Sequence, residues 1–131
     1  MSGGRSLPTC AGDISSVHRD GQPLVDKFVI ECKHVNADLF GPLTFGKKTP
    51  VCAWWLKLLV ECDRHGRSPL LTVKQQGKPI VACVTSSYLV GIQPQASFFW
   101  TSSAPWGRMR IDVVSFDRLL TSASFKKMVL E

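Results

Sequence analysis

The stretch that decides the fold is Asp26-Lys27-Phe28-Val29-Ile30-Glu31-Cys32-Lys33-His34, residues 26–34. Its apolar centre is rich in Val, Ile and Phe, which favour β-structure. We therefore predict one long strand from Leu24 to Val35. The segment just before it, Arg19-Asp20-Gly21-Gln22-Pro23, has the composition of a turn, so an earlier strand can fold back beside this one.

The two faces of this predicted strand differ in polarity, because alternate side chains of a strand point the same way. One face should be apolar and carry Phe28, Ile30 and Cys32. The other should carry Glu31 and Lys33, together with Val25, Lys27 and Val29. Charged groups this close to a core-forming segment need a partner.

Metal-dependent phosphodiester hydrolysis is a reaction that uses such a carboxylate–ammonium pair. Two carboxylates on neighbouring strands can hold Mg²⁺ or Mn²⁺, with a backbone carbonyl and waters completing the shell. The metal polarises the phosphoryl oxygen and lowers the pKa of a bound water. A nearby lysine orients that water and offsets transition-state charge. Glu31 and Lys33 supply two of these parts, and a second carboxylate should precede them.

Two aspartates are candidates for the second carboxylate. Asp26 is five residues before Glu31, an odd offset that places it on the opposite face of a regular strand. Asp13 begins a predicted short strand, residues 13–17, and a hairpin pivoting near Gly21 would bring it beside Glu31. We therefore predict Asp13 as the second acidic residue.

The rest of the chain alternates helix and strand signals. Residues 36–50 form an irregular basic loop, and Thr49 and Pro50 should begin a helix that Gly66 ends. Residues 70–74 and 80–84 should pair as a hairpin. The remaining predicted strands are 88–92, 97–101 and 108–114, followed by a helical segment from the cap Ser115 to Met128. This order predicts a mixed α/β or α+β sheet domain.

The segments Gly12-Asp13-Ile14 and Phe28-Val29-Ile30-Glu31-Cys32-Lys33 resemble the PD-(D/E)xK nuclease superfamily. Residues 5–6 and 11–14 are similar to the corresponding context of small Holliday-junction resolvases of archaea and phages. The resemblance covers about residues 5–84. Gly12 replaces the proline of the motif's name. None of the twelve residues before Asp13 is acidic, whereas resolvases usually place a further glutamate there.

The resemblance implies a restriction-endonuclease-like mixed β-sheet flanked by helices, and a Mg²⁺-dependent endonuclease that is commonly a homodimer. It assigns the catalytic roles to Asp13, Glu31 and Lys33. The metal ligands would be Asp13, Glu31 and the backbone carbonyl of Cys32. No small-molecule cofactor is expected.

Size and charge fit this interpretation. The 131 residues suit one domain, residues 1–131, with a flexible basic arm at residues 1–11. Sixteen Lys and Arg against ten Asp and Glu give a net charge of +6, which favours a polyanion such as DNA. The predicted phosphate contacts are Arg5, Lys47, Lys48 and Lys74.

Location and assembly can also be predicted. Residues 1–5 precede no apolar segment of the secretory type, and no apolar run is long enough to cross a bilayer. We expect a cytoplasmic protein, in the host cytoplasm if a phage encodes it. The helix carrying Trp54 and Trp55 should pack in the core or form a homodimer surface. The cysteines, including Cys32, Cys52 and Cys83, are expected to be buried reduced thiols.

Four functions remain in competition at this point. The leading one is a structure-selective, junction-resolving endonuclease, and the second is a nicking or restriction-like nuclease acting on duplex. A third is a non-catalytic DNA-binding module with the same basic surface. The fourth is a protein-interaction domain whose contact would be formed by Trp54 and Trp55.

Overall fold

The computed structural model describes residues 22–45, 47, 49–102 and 105–130. Within them, a five-stranded mixed sheet has the order β1-β2-β3-β5-β4. Its strands are β1 (Phe28–Val35), β2 (Ser68–Gln75), β3 (Val81–Val84), β4 (Ala96–Thr101) and β5 (Arg108–Ser115). β1 and β2 are parallel, and the other neighbouring pairs are antiparallel. The mixed α/β class and the β2–β3 hairpin are thus confirmed.

Helices cover both faces of the sheet. They are α1 (Gln22–Lys27), α2 (Phe40–Thr44), α3 (Pro50–His65), α4 (Phe116–Thr121) and α5 (Ala123–Leu130). α3 connects the parallel strands β1 and β2 and contacts both of them, as parallel pairing requires a long crossover. On the other face, α1 and α4 both contact α5, and α4 contacts β3 and β5.

Apolar periodicity on α3 builds the first half of the core. Trp55, Leu58 and Cys62 are spaced three and four residues apart and are buried against the face of the sheet that carries Val29 and Leu71. Burying each large side chain stabilises the fold by roughly 1.5–3 kcal/mol. The helix begins at the predicted position, with Pro50 in its first turn, and ends at Gly66, whose φ of 64° favours glycine.

The opposite face of the sheet holds the second half of the core. Phe28 and Ile30 from β1 pack there, which confirms the predicted apolar face of this strand. The ring of Phe28 lies 4.8 Å from that of Tyr88 and 5.8 Å from that of Phe125, centroid to centroid. This aromatic contact anchors α5 beneath β1.

The N-terminal part of the predicted long strand is helical instead. Residues 22–27 form α1, where Gln22 Nε2 donates to Asp26 Oδ1 at 2.6 Å across one turn. Lys27 Nζ donates to the Met128 carbonyl at 2.8 Å, near the C-terminal end of α5. The predicted placement of Val25 and Lys27 on the strand face of Glu31 is therefore wrong. Packing on α5 outweighs the strand preference of this segment.

Three further predictions need correction. Residues 88–92 are not a strand, because a 3₁₀ turn (Ser86–Tyr88) leads into irregular chain. The C-terminal segment is two helices, with a break at Ser122, whose Oγ accepts from Phe125 N at 3.2 Å. Cys32 is exposed, not buried, whereas burial raises the pKa of the Cys62 thiol to about 12.

Candidate active site

Glu31 and Lys33 lie two residues apart on β1, which pairs only with β2 in the described part of the chain. Both side chains are partly buried and line one cleft of about 150 Å³ under α3. The predicted alternation is confirmed here, since Val29 packs in the α3 side of the core while Phe28 and Ile30 pack on the other side. The strand therefore presents the Glu–Lys pair toward the helix.

The far wall of the cleft comes from α3. Trp54 is followed by Lys57 and Leu58 at three and four residues, and Glu61 comes three residues after Leu58, so all four lie on one side of the helix. Sequence reasoning did not identify Lys57 or Glu61 as site residues. The signal that could have found them is their position on the flank of the apolar stripe of a helix that follows the Glu–Lys strand.

Trp54 positions Lys33. The Lys33 Nζ atom lies 5.5 Å from the centroid of the Trp54 ring, within the range of a cation–π contact. This contact places the Lys33 ammonium beside the ring at the cleft. Sequence reasoning assigned Trp54 to core or dimer packing, and its contact with Lys33 is an additional role.

The cleft contains balanced charge. Glu31 and Glu61 supply two carboxylates, and Lys33 and Lys57 supply two ammonium groups. Carboxylate oxygens are the donors that Mg²⁺ and Mn²⁺ prefer, so the two glutamates are the residues of the cleft that could hold a hard divalent cation. Over the described residues, no group of three or more His, Cys, Asp or Glu side chains is close enough to hold a metal. A third carboxylate would have to come from elsewhere in the chain.

The two aspartates considered from the sequence have different outcomes. Asp13 lies outside the described residues. Asp26 belongs to α1, is exposed, and accepts a hydrogen bond from Gln22. The alternation of strand faces does not apply to Asp26, because β1 begins only at Phe28.

Of the predicted phosphate-binding residues, the structure describes Lys47 and Lys74. Arg5 and Lys48 lie outside the described residues, and Lys47 is exposed. Lys74 is the register partner of His34, so it faces away from the Glu31 side of the sheet. Its Nζ donates to the Gln75 carbonyl at 3.2 Å and also to the Lys78 carbonyl, which ties it to the β2–β3 turn.

We expect DNA binding to depend strongly on salt through Lys47 and Lys48, which lie between α2 and α3 in the sequence. We expect the Lys47→Ala, Lys48→Ala double variant to bind duplex DNA more weakly. The slope of log affinity against log salt should fall by about 0.9 for each phosphate that the loop no longer neutralises. Fluorescence anisotropy across a salt series measures this slope. An unchanged slope would exclude the loop from the interface.

An exposed arginine pair lies on the far side of the sheet from α3. Arg108 and Arg110 flank the Phe99 ring, with their guanidinium carbons 5.7 and 5.4 Å from its centroid. Asp112, buried at 1% exposure, accepts from Arg110 Nε and Nη2 at 3.0 and 2.9 Å. Arg108 and Arg110 thus alternate with the buried Met109 and Ile111, and the Arg110 charge is largely neutralised by Asp112.

The tryptophans of α3 do not supply the surplus surface expected of a dimer interface. Trp55 is 1% exposed and belongs to the core, and Trp54 and Leu59 are partly buried against it. The alternative that both tryptophans pack within one chain is therefore correct. Homodimer formation stays a prediction without a surface assigned to it.

Two further properties of the chain were compared: the membrane-spanning capacity of its helices and its similarity to known proteins. Across the described residues, every helix is too short or too polar to cross a bilayer. No family model, curated protein or solved structure matches the chain.

Proposed function

We propose that this chain is a metal-dependent DNA endonuclease with a restriction-endonuclease-like fold and a structure-selective activity on branched DNA. The observation that carries the proposal is the shared cleft of Glu31 and Lys33, walled by Lys57 and Glu61. A carboxylate and an ammonium two residues apart on one face of β1 share this cleft with a second carboxylate and a second ammonium, a donor set suited to a divalent cation and a phosphate. The net charge of +6 supports a polyanionic substrate.

The residues of the cleft divide the chemistry between them. Glu31 and Glu61, with Asp13 and the Cys32 carbonyl, would hold Mg²⁺ or Mn²⁺, which would supply Lewis-acid polarisation of the phosphoryl oxygen. Lys33, held by Trp54, orients the attacking water and offsets negative charge on the reacting phosphate. Lys57 lies on the same wall and can contact a neighbouring phosphate oxygen.

The connection between the strands supports the same proposal. The Glu–Lys strand β1 leads through α3 into the parallel strand β2, and the helix then covers the pair. The sequence resemblance to PD-(D/E)xK nucleases covers this whole segment, since it extends to about residue 84. Two symmetric cuts in a junction would require two such sites, so we further propose that the active form is a homodimer.

The proposal is tested on a panel of DNA shapes. Purified protein is incubated with four-way junction, flap and linear duplex DNA, with Mg²⁺ or with EDTA. We expect Mg²⁺-dependent cleavage, fastest on the junction. Equal cleavage of duplex would indicate a nicking or restriction-like nuclease. Binding to all three without cleavage would leave a non-catalytic DNA-binding module, and the nuclease proposal would be wrong.

Neutralising the two aspartates should separate their roles. We expect Asp13→Asn to reduce cleavage by about 10²-fold or more, because it removes a proposed ligand. Asp26→Asn should leave cleavage within about twofold, since Asp26 is exposed on α1 and bonded to Gln22. Initial rates on the junction substrate measure both. The reverse ranking would assign the second carboxylate to Asp26.

A further inference from the structure

A second, larger cavity opens on the sheet face that also carries α3. Its volume is about 400 Å³, which lies within the range of small-molecule sites. Its walls are mostly apolar and come from α2, β3, β4 and β5. The apolar side chains of these walls are Phe40, Val81, Ala96, Phe98 and Val113. The rings of Phe40 and Phe98 are stacked, with centroids 6.1 Å apart and planes at 30°.

One buried amide is directed into this cavity. Gln75 is only 6% exposed, at the end of β2, and it lines the cavity wall. Its Oε1 accepts from Leu39 N at 2.8 Å, so the orientation of the amide is fixed. Its Nε2 has no hydrogen-bond partner among the described residues. Because Gln75 lines the cavity, this donor is accessible from it and can bond a ligand that supplies an acceptor.

The rim of the cavity is close to neutral. Lys78 Nζ lies 3.8 Å from Asp38 Oδ1, and both side chains are about half exposed. Asp38 Oδ1 also accepts from Phe40 N at 3.2 Å and Gly41 N at 3.0 Å. These backbone donors, with Lys78, hold the pKa of the Asp38 carboxyl below its usual value. A rim without net positive charge offers nothing to hold a phosphate or carboxylate, so the cavity suits an uncharged ligand.

We propose that this cavity binds an unpaired nucleobase of the bound DNA strand, an inference that rests on the proposed nuclease function. A nucleobase is flat and uncharged, which suits apolar walls that include Phe40 and Phe98. Its ring carbonyl or ring nitrogen accepts the hydrogen bond that Gln75 Nε2 offers. A flap has unpaired bases at its branch, and a four-way junction would expose one if a base pair at the crossover opened, so the cavity would contribute to structure selectivity.

The distance between the Glu31–Lys33 cleft and the cavity allows a single DNA strand to reach both. Val35, the register partner of Gln75, lies four positions after Glu31 on β1. At about 3.3 Å per residue and about 4.8 Å between strands, the Cα atoms of Glu31 and Gln75 lie about 14 Å apart. Stacked DNA advances about 3.4 Å per nucleotide, so the bound base would lie about four nucleotides or fewer from the reacting phosphate.

Thymidine and deoxyribose 5-phosphate, titrated in EDTA, test the cavity by itself. We expect thymidine to shift the Gln75 side-chain amide resonances in a ¹⁵N-edited NMR spectrum, and the sugar phosphate to leave them in place. Gln75→Glu preserves the acceptor for Leu39 N but removes the donor, and it should weaken thymidine binding about tenfold. Gln76→Glu, an exposed neighbour outside the cavity, makes the same charge change and should bind normally.

Ala96→Leu provides an independent variant, since it fills the cavity from β4 without altering Gln75. It should also weaken thymidine binding about tenfold, with a circular dichroism spectrum like that of the wild type. Thymidine binding unaffected by Gln75→Glu and Ala96→Leu, or no shift of the Gln75 amide, would overturn the proposal. DNA cleavage without thymidine binding would reject the cavity alone. Thymidine binding without cleavage would reject the nuclease function and retain a base-binding cavity.

Discussion

Replacing Glu31 by glutamine is expected to reduce Mg²⁺-dependent DNA cleavage by about 10³-fold. The substitution preserves the shape of the side chain and removes the charge that would hold the metal. Lewis-acid stabilisation is worth several kcal/mol, and each 1.36 kcal/mol corresponds to a factor of ten in rate. DNA binding should be unchanged or slightly tighter, because a repulsion between carboxylate and phosphate is removed.

Two control variants locate the effect in the cleft. Asp63→Asn neutralises an exposed carboxylate of α3. Asp63 does not line the cleft, so this variant should cleave normally. Glu61→Gln neutralises the carboxylate across the cleft from Glu31, and should lower the rate by an intermediate factor. Near wild-type cleavage by the Glu31→Gln variant, at equal folded concentration, would refute the assignment of the site.

The adjacent tryptophans of α3 should separate stability from activity. Trp55→Ala removes a ring that is 1% exposed and should lower the free energy of unfolding by about 3–5 kcal/mol. Trp54→Ala removes a partly buried ring and should cost clearly less stability. It should instead slow cleavage, because it removes the cation–π partner of Lys33, an interaction worth roughly 0.5–2 kcal/mol.

Urea denaturation followed by circular dichroism measures the stability of both variants, and initial cleavage rates measure the activity. Trp54→Phe is the matched control, since it retains an aromatic face for Lys33 and should recover most of the rate. Equal destabilisation by Trp55→Ala and Trp54→Ala would show that both rings are core residues of the same kind. Trp54 would then have no role in positioning Lys33.

The two faces of β1, the limits of α3 and the β2–β3 hairpin were predictable because their signals are local. Strand alternation correctly placed Glu31 and Lys33 on one face of β1 and Phe28 and Ile30 on the other. The limits of α3 were predictable from Pro50 and Gly66, since these residues restrict the backbone in known ways. The hairpin of β2 and β3 followed from its apolar runs and the turn residues between them.

Other features depend on contacts between distant segments. α1 was predicted as strand because its helical state is stabilised by packing on α5, about a hundred residues away, including the bond from Lys27 to Met128. The roles of Lys57 and Glu61 depend on how α3 lies over β1. Cys32 is exposed although Phe28 and Ile30 on the same face of β1 are buried, and which part of that face is covered depends on tertiary packing.

The most direct measurement of the central claim is cleavage of a labelled four-way junction by the wild-type protein as Mg²⁺ is added and then chelated. We predict cleavage in millimolar Mg²⁺, restoration of activity by Mn²⁺, and complete arrest by EDTA while the protein remains bound to DNA. A DNA-binding protein that cuts no substrate in either metal would contradict the account. Cleavage that continues unchanged in EDTA would contradict it equally, because the Glu31–Lys33 cleft would then have no metal-dependent role.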